Sequence, residues 1–214
     1  MISISNTSIA TNSALPTPVE WAHELLRSRV PPGAWVVDAT AGNGHDTLLL
    51  AQLVGPSGRV FAFDIQPAAI EATRARLAAV GALSQCTLIL DGHEKMRALL
   101  PAEANGQLAA VMFNLGWLPK QEKSCITRTE TTLTALQAAL DYLQGGGLIT
   151  VVVYPNHDGG DDESKAVAEW ACALSAKTFE VRHLRSHYRQ GQSPECWAIR
   201  KRPAKQILSA SSNP

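Results

Sequence analysis

The chain has 214 residues, of which 45% are hydrophobic and 18% are charged, and its formal net charge is zero. This composition is typical of one globular domain with a full core, and it excludes a wholly disordered chain. No apolar run approaches the roughly 20 residues that a membrane-spanning helix needs, so we expect no membrane partner.

The N-terminal segment and the cysteines bear on the compartment. Residues 1–15 are rich in Ser and Thr, contain no Arg, and lack the basic and apolar parts of a signal peptide. We interpret them as a disordered lead-in, with an organelle transit peptide as the open alternative. The four cysteines are widely spaced without a CxxC pair, which predicts neither a disulfide framework nor a metal site. A reducing cytoplasm is therefore the expected location.

Helical and strand-like segments alternate along the chain. Thr17 as N-cap and Pro18 at the first position predict a helix that ends at residue 29. Apolar runs then predict five strands, at residues 34–39, 59–63, 87–90, 108–113 and 148–154. The segments between them are helical in pattern, and Gly145, Gly146 and Gly147 predict a turn before the fifth strand. Two further apolar segments, at residues 179–184 and 196–199, predict a closing hairpin.

This alternation predicts the fold class. Strands that alternate with helices form a parallel sheet with right-handed crossovers. The sequence therefore predicts an α/β fold with a mostly parallel, seven-stranded sheet and an antiparallel C-terminal hairpin. We expect a single domain over residues 16–202, followed by a flexible tail at residues 203–214.

Polar side chains follow each of the five parallel strands at the point where the strand ends. They are Asp38, Asp64, Asp91 with His93, Asn114, and Tyr154 with His157. Ligands of open α/β sheets bind outside the carboxyl ends of the strands. The agreement of five strand ends predicts one functional site at this edge of the sheet.

The loop after the first strand indicates a ligand that contains adenosine. Gly42 and Gly44 begin like a dinucleotide fingerprint, but Thr47 replaces the third glycine. Asp64 lies twenty residues beyond Gly44, where a carboxylate can accept both ribose hydroxyls of NAD or of S-adenosylmethionine. Asp38 places a second carboxylate where it would repel a pyrophosphate and attract a cationic amino group, which favours S-adenosylmethionine.

The end of the fourth strand indicates the chemistry. Asn114, Leu115, Gly116 and Trp117 are similar to the N-P-P-[YF] signature of amino-methylating enzymes. Such an Asn accepts hydrogen bonds from the target amine and aims its lone pair at the methyl group. The alternative is an ordinary turn with Trp117 in the core.

Seven motifs occur in a defined order: DATAGNGHDT, FDIQ, DGHE, MFNLGWLP, ETT, GGGLI and YPNHDGG. Their combination, over residues 16–200, resembles the YtqB/MnmM family of class I methyltransferases, long described as putative rRNA methylases. The resemblance implies a Rossmann-like fold and S-adenosylmethionine as the methyl donor. It also implies that the acceptor is the 5-aminomethyl group of 2-thiouridine at the wobble position of tRNA.

The resemblance also implies the residues that hold the cofactor. These are Asn43, Asp46, Asp64, Gln66 and His93, with Gly42 and Gly44 for close backbone approach and Gly92 beside the adenine. The chain departs from the family at three positions: Gly92 replaces a common serine, Trp117 a common tyrosine and Asp158 a common glutamate. The His93 ring would either stack on the adenine or pack against Trp35.

The sequence says less about the residues that bind the methyl acceptor. An aliphatic amine is mostly protonated near neutral pH, so a proton acceptor is needed. We expect Asn114 to orient the amine, His157 or Glu130 to accept the proton, and Tyr154 to contact the substrate. The alternative for His157 is a residue that caps its loop. For RNA, Trp117 would stack a flipped base, while Lys120 and Arg128 would contact phosphates.

A charge asymmetry supports an RNA partner. From residue 176 onward there are eight basic and two acidic residues, although the whole chain is neutral. Three alternatives remain open: methylation of rRNA, methylation of a small metabolite or a protein, and a non-catalytic or NAD-linked nucleotide-binding domain. The expected partner is the anticodon region of tRNA, and the resemblance permits a homodimer.

Overall fold

A seven-stranded sheet forms the frame of the protein, whose computed structural model describes residues 15–116, 128–155, 160–185 and 194–204. The strand order is β3-β2-β1-β4-β5-β7-β6. The strands are β1 (Trp35–Asp38), β2 (Arg59–Asp64), β3 (Cys86–Leu90), β4 (Leu108–Asn114), β5 (Leu143–Val153), β6 (Phe179–Arg185) and β7 (Glu195–Lys201). Neighbours among β1–β5 are parallel, whereas β7 is antiparallel to both β5 and β6. The predicted fold class is confirmed.

Six α-helices accompany the sheet in the described residues. They are α1 (Pro18–Arg29), α2 (His45–Val54), α3 (Pro67–Ala79), α4 (Met96–Leu99), α5 (Thr129–Tyr142) and α6 (Gly160–Ala173), with 3₁₀ turns at His93–Lys95 and Ala102–Ala104. The predicted start of α1 is confirmed by a capping box. The Thr17 hydroxyl accepts from the Glu20 amide, and the Glu20 carboxylate accepts from the Thr17 amide.

Two core layers cover the sheet, one on each face. Leu26, Leu50 and Leu77 of α1, α2 and α3 lie in one layer, while Leu136 of α5 lies in the other. Neighbouring residues of a strand point to opposite layers, so the central strands β1 and β4 are buried almost throughout, as expected where a sheet is covered on both faces. Each of these fully buried leucines stabilises the fold by roughly 1.5–3 kcal/mol.

The predicted turn at residues 145–147 is wrong, because the three glycines belong to β5. Leu143 pairs with Leu108 and Leu148 with Ala110, so β5 advances by five residues where β4 advances by two. A side chain at Gly147 would place its Cβ 2.9 Å from the carbonyl oxygen of Leu108. The glycines therefore form an irregular segment in close contact with β4 rather than a turn before β5.

Helix α1 lies against the end of the sheet that carries the predicted site. Ala22 is fully buried in a cluster with Val152 of β5 and Cys196 of β7, and Tyr154 packs against this cluster. The N-terminal helix is thereby fixed beside the carboxyl end of β5. Among the described residues, no helix is both long and apolar enough to cross a bilayer. Residues 1–14 and 205–214 lie outside the described part of the chain, so the predicted lead-in and tail remain predictions.

Candidate active site

Asp64 joins the loop after β1 to the end of β2. The Gly42 amide donates to Asp64 Oδ2 at 2.9 Å, and the Gln66 amide donates to Asp64 Oδ1 at 2.9 Å. Each carboxylate oxygen keeps a further lone pair. The structure therefore holds Asp64 in a fixed orientation that still allows it to accept from ribose hydroxyls. The neighbouring Asn43 side chain is exposed, and the backbone carbonyl oxygen of Asn43 accepts from Arg76 Nε at 2.7 Å.

The same loop is packed closely against α3. Gly44 has a φ of +77°, and a Cβ at this position would lie 2.7 Å from Thr73 Cα. The Thr73 hydroxyl donates to the carbonyl oxygen of Gly42 at 3.1 Å. The left-handed backbone and the backbone contact each require glycine here.

Replacement of Gly44 with alanine is expected to lower the free energy of unfolding by about 2–5 kcal/mol, since the strained φ and the steric contact with Thr73 add together. Gly81 provides a matched control, because its φ is +71° but a Cβ added there would have no atom within 4 Å. Gly81→Ala should lose only about 1–2 kcal/mol. Urea unfolding of both variants measures the difference. Equal losses would contradict a role for the Thr73 contact.

Asp38 lies beneath this loop with no exposed surface. Its carboxylate accepts from the Thr47 hydroxyl at 2.6 Å and from the Thr40 amide at 3.1 Å. Burial, followed by the charge of nearby Asp46, raises the pKa of Asp38 to about 7. Near neutral pH, Asp38 is therefore present in both its neutral and its ionised form. Because the side chain is fully buried, it can act on a bound cation only through its charge.

His93 is buried under the end of β1. Its Nδ1 lies 3.0 Å from the carbonyl oxygen of Ala39 and therefore donates to it. Burial lowers the pKa of His93, so the ring is neutral near pH 7 and its Nε2 is an acceptor. Its ring neighbour is Phe113, at a centroid distance of 5.8 Å. Trp35 packs instead on Phe61, at 5.9 Å, so the alternative that placed His93 against Trp35 is wrong.

Gly92 is buried and adjoins the Glu94 side chain. A Cβ at Gly92 would clash with the Glu94 carboxylate, so a serine here would need that side chain to move. The Gly92 amide donates to Asp91 Oδ1 at 2.8 Å, which fixes the turn. In this chain the Glu94 side chain therefore occupies the space that a serine side chain at position 92 would need.

Asn114 is held by hydrogen bonds on both sides of its carboxamide. Its Nδ2 donates to Asp46 Oδ2 at 3.0 Å, and the Tyr154 hydroxyl donates to its Oδ1 at 3.0 Å. Its backbone amide donates to the Thr40 hydroxyl at 2.8 Å. Burial, and secondarily the charge of Asp46, raise the pKa of Tyr154, so its hydroxyl remains a donor. The orientation of the amide follows, since the NH₂ group must face the carboxylate.

The remaining predicted residues are less closely tied to this cluster. Glu130 is exposed on the first turn of α5, and Arg128 is the exposed N-cap of that helix. Trp117, Lys120 and His157 lie outside the described residues. Their roles remain predictions.

Sequence reasoning missed two polar residues. His23 Nε2 donates to Asp46 Oδ1 at 2.8 Å, and the buried Glu163 carboxylate accepts from the Thr132 hydroxyl at 2.7 Å. Neither residue lies in a motif or at a strand end. Both contacts join helices that are distant in sequence, so no local pattern could have identified them.

Comparisons with known proteins show the family of the chain. A family model described as "Putative rRNA methylase" matches residues 60–200. The chain belongs to this family. The motif resemblance to these methylases is thereby confirmed.

Solved structures of the family superpose closely on the chain. A putative rRNA-methylase from Clostridium thermocellum is 39% identical, with a TM-score of 0.83, over 88% of this chain and 99% of that one. A putative methyltransferase from Streptococcus mutans, solved in complex with S-adenosylhomocysteine, is 33% identical, with a TM-score of 0.79 and the same coverage of 88% and 99%.

A curated relative adds a functional name. The "tRNA (mnm(5)s(2)U34)-methyltransferase, chloroplastic" of Arabidopsis thaliana is 42% identical over 163 residues, which cover 72% of this chain and 59% of the relative. The chain thus spans about three fifths of the length of this curated relative.

Proposed function

We propose that this member of the rRNA methylase family is an S-adenosylmethionine-dependent N-methyltransferase that methylates the 5-aminomethyl group of 2-thiouridine at the wobble position of tRNA. Family membership supports the reaction class. The name of the plant relative supports the acceptor, and the S-adenosylhomocysteine complex of the Streptococcus mutans relative supports the donor. The observation that carries the proposal is the fixed orientation of Asn114 between Asp46 and Tyr154.

Asn114 offers what an amine acceptor needs. Its Oδ1 accepts one hydrogen bond from Tyr154 and keeps a second lone pair for an amine N–H. An amine held in this way has its own lone pair directed away from the amide, which is the orientation that an in-line displacement requires. When bound, S-adenosylmethionine supplies the electrophilic methyl group.

The electrostatics of the site favour cationic ligands. Asp38, Asp46 and Asp64 lie together at the ends of β1 and β2 and the start of α2, close enough for Asp46 and Asp64 to raise the pKa of Asp38. Both a sulfonium and a protonated amine carry a positive charge that these carboxylates stabilise. A pyrophosphate would be repelled here, which argues against an NAD-linked domain.

The cofactor-binding residues that we propose are those that the family resemblance implies, together with Asp38. Asp64 would accept from the ribose, and the Gly42–Gly44 backbone would approach the ligand closely. The other members of the set are Asn43, Asp46, Gln66, Gly92 and His93, with Asp38 acting through its charge. The neutral His93 would present Nε2 as an acceptor.

The RNA side of the site is proposed on chemical grounds. Trp117 would stack the base, Lys120 and Arg128 would contact phosphates, and His157 or Glu130 would accept the amine proton. The anticodon region would lie at the strand-end edge, and the chain would act in the cytoplasm, alone or as a homodimer. The chloroplastic location in the plant relative's name makes a transit peptide the alternative for residues 1–15.

A methyl-transfer assay tests the proposal. The full chain is incubated with S-adenosylmethionine labelled on its methyl group and with tRNA that carries either 5-aminomethyl-2-thiouridine or unmodified uridine at the wobble position. We expect label only in the first tRNA, with the product identified by mass spectrometry of the nucleosides. In a parallel reaction with ribosomal RNA fragments we expect no label, and label there but not in the tRNA would overturn the acceptor. Calorimetry that detected binding of NAD but not of S-adenosylmethionine would overturn the reaction class.

A further inference from the structure

A chain of three side-chain hydrogen bonds crosses the site and begins on α1. His23 donates to Asp46 Oδ1 at 2.8 Å, Asp46 Oδ2 accepts from Asn114 at 3.0 Å, and Asn114 Oδ1 accepts from Tyr154 at 3.0 Å. The four residues come from α1, the start of α2 and the ends of β4 and β5. The motifs of the sequence account for three of them but not for His23.

We propose that His23 is a positioning residue of the methyl-transfer site, which fixes the Asp46 carboxylate and thereby the orientation of the Asn114 amide. This inference rests on the methyltransferase function proposed above. His23 contacts Asp46 and acts on the acceptor through it, so it is not itself a catalytic residue.

The geometry of Asp46 explains why the imidazole matters. An ionised carboxylate only accepts hydrogen bonds, so its orientation depends on the donors that its two oxygens face. The His23 N–H occupies Oδ1, which leaves Oδ2 directed at the Asn114 NH₂ group. Without His23, the carboxylate can rotate away, and the Asn114 amide can reverse its carbonyl and NH₂ ends.

Burial strengthens this arrangement. The Asp46 and His23 side chains are only 10% and 21% exposed. Hydrogen bonds to a carboxylate are stronger when water is largely excluded. The contact between His23 and Asp46 is therefore expected to hold the carboxylate more firmly than a solvent-exposed pair would.

The packing of α1 fixes the position of the His23 side chain. Ala22 and Leu26 flank it along the helix, and both are fully buried. Ala22 packs on Val152 and Cys196, while the capping box at Thr17 holds the start of the helix. Helix α1 cannot rotate without exposing these residues, so the imidazole remains directed at Asp46.

Steady-state kinetics of three variants of the full chain test the role. His23→Leu removes the donor, His23→Gln supplies an amide N–H in its place, and Glu24→Gln changes an exposed residue of the same helix. We expect His23→Leu to lower kcat about tenfold while the KM for tRNA stays within about twofold of wild type, because the bound acceptor is misoriented rather than released. His23→Gln should recover most of kcat, and Glu24→Gln should match wild type. A His23→Leu enzyme with wild-type kcat would overturn the proposal.

A second measurement separates this inference from the proposed function. The side-chain ¹⁵N–¹H resonances of Asn114 are assigned by their loss in Asn114→Ala and followed in the full-length chain. We expect them to shift in His23→Leu and to return towards the wild-type position in His23→Gln. Unchanged resonances in His23→Leu would overturn the positioning role even if wild type methylates tRNA. If wild type transfers no methyl to tRNA, the proposed function fails, and the resonances alone decide whether His23 orients Asn114.

Discussion

Replacement of Asn114 with alanine is expected to lower kcat for methyl transfer by at least about 10²-fold, while the Kd for S-adenosylmethionine stays within about threefold of wild type. The variant loses the carbonyl that accepts from the amine, and with it the group that orients the lone pair. Asp64 and its two backbone partners, which we expect to hold the ribose, are not in contact with Asn114 through any described hydrogen bond. Single-turnover kinetics with saturating cofactor measure the loss at the chemical step.

A pair of tyrosine variants serves as a matched control for Asn114. Tyr154→Phe removes the hydroxyl that donates to Asn114 Oδ1, and we expect about a tenfold lower kcat because the amide keeps its bond to Asp46. Tyr142→Phe removes a hydroxyl that donates to the carbonyl oxygen of Arg97, on the exposed side of α5, and should leave kcat unchanged. If Asn114→Ala methylated tRNA at the wild-type rate, the assignment of Asn114 to acceptor orientation would be wrong.

The parts of the fold that depend on local signals could be predicted from the sequence. Thr17 and Pro18 mark the start of α1 because a cap acts within one turn of the helix. The alternation of apolar runs and helices is sufficient to predict the parallel sheet, and the last two runs predict the antiparallel hairpin. The glycines at residues 145–147 wrongly predict a turn. Gly147 is needed because the Leu108 carbonyl of the neighbouring strand approaches it closely, and a contact between strands leaves no signal in the local sequence.

The residues of the candidate site also fall into two groups, those that the sequence could predict and those that depend on tertiary packing. Asp64 and Asn114 could be identified because topology alone brings the carboxyl ends of parallel strands to one edge. The contact of Asp46 with His23 could not, because it depends on how α1 packs against β5 and β7. The packing of His93 on Phe113 rather than on Trp35 depends likewise on tertiary position, since Trp35 begins β1 whereas Phe113 lies near the carboxyl end of β4.

Asp38 is expected to make the stability of the unliganded protein depend on pH. Its pKa is about 7 in the folded chain and near its ordinary value of 3.8 in the unfolded chain. Between these values the folded chain binds the extra proton, so the contribution of Asp38 is greatest below pH 4 and is lost as the pH rises to 7. At 1.36 kcal/mol per pKa unit, the loss is at most about 4 kcal/mol.

Urea unfolding of wild type and Asp38→Asn isolates this contribution when it is measured between pH 4.5 and 8, about the range in which Asp38 titrates. Asn does not titrate, so the difference in unfolding free energy between the two proteins should change across this range and level off above about pH 7. The contribution of His93 to the unfolding free energy changes with pH in the opposite direction. Burial lowers the pKa of His93, so its contribution is lost as the pH falls below 6.5. It is common to both proteins and cancels in the difference. A constant difference would contradict the raised pKa of Asp38.

Ionisation of Asp38, which lowers the stability of the unliganded protein, should strengthen the binding of the cofactor. A cationic amino group near Asp38 favours the carboxylate over the neutral acid, so binding of S-adenosylmethionine should lower the pKa of Asp38 and release a proton. The affinity of wild type is then expected to rise with pH up to about 7, whereas that of Asp38→Asn should be weaker and independent of pH in this range. Titration calorimetry in two buffers with different ionisation enthalpies counts the released proton. Equal pH dependence in both proteins would show that Asp38 does not act on the bound cofactor, and the cation preference of the site would then have to come from Asp46 and Asp64.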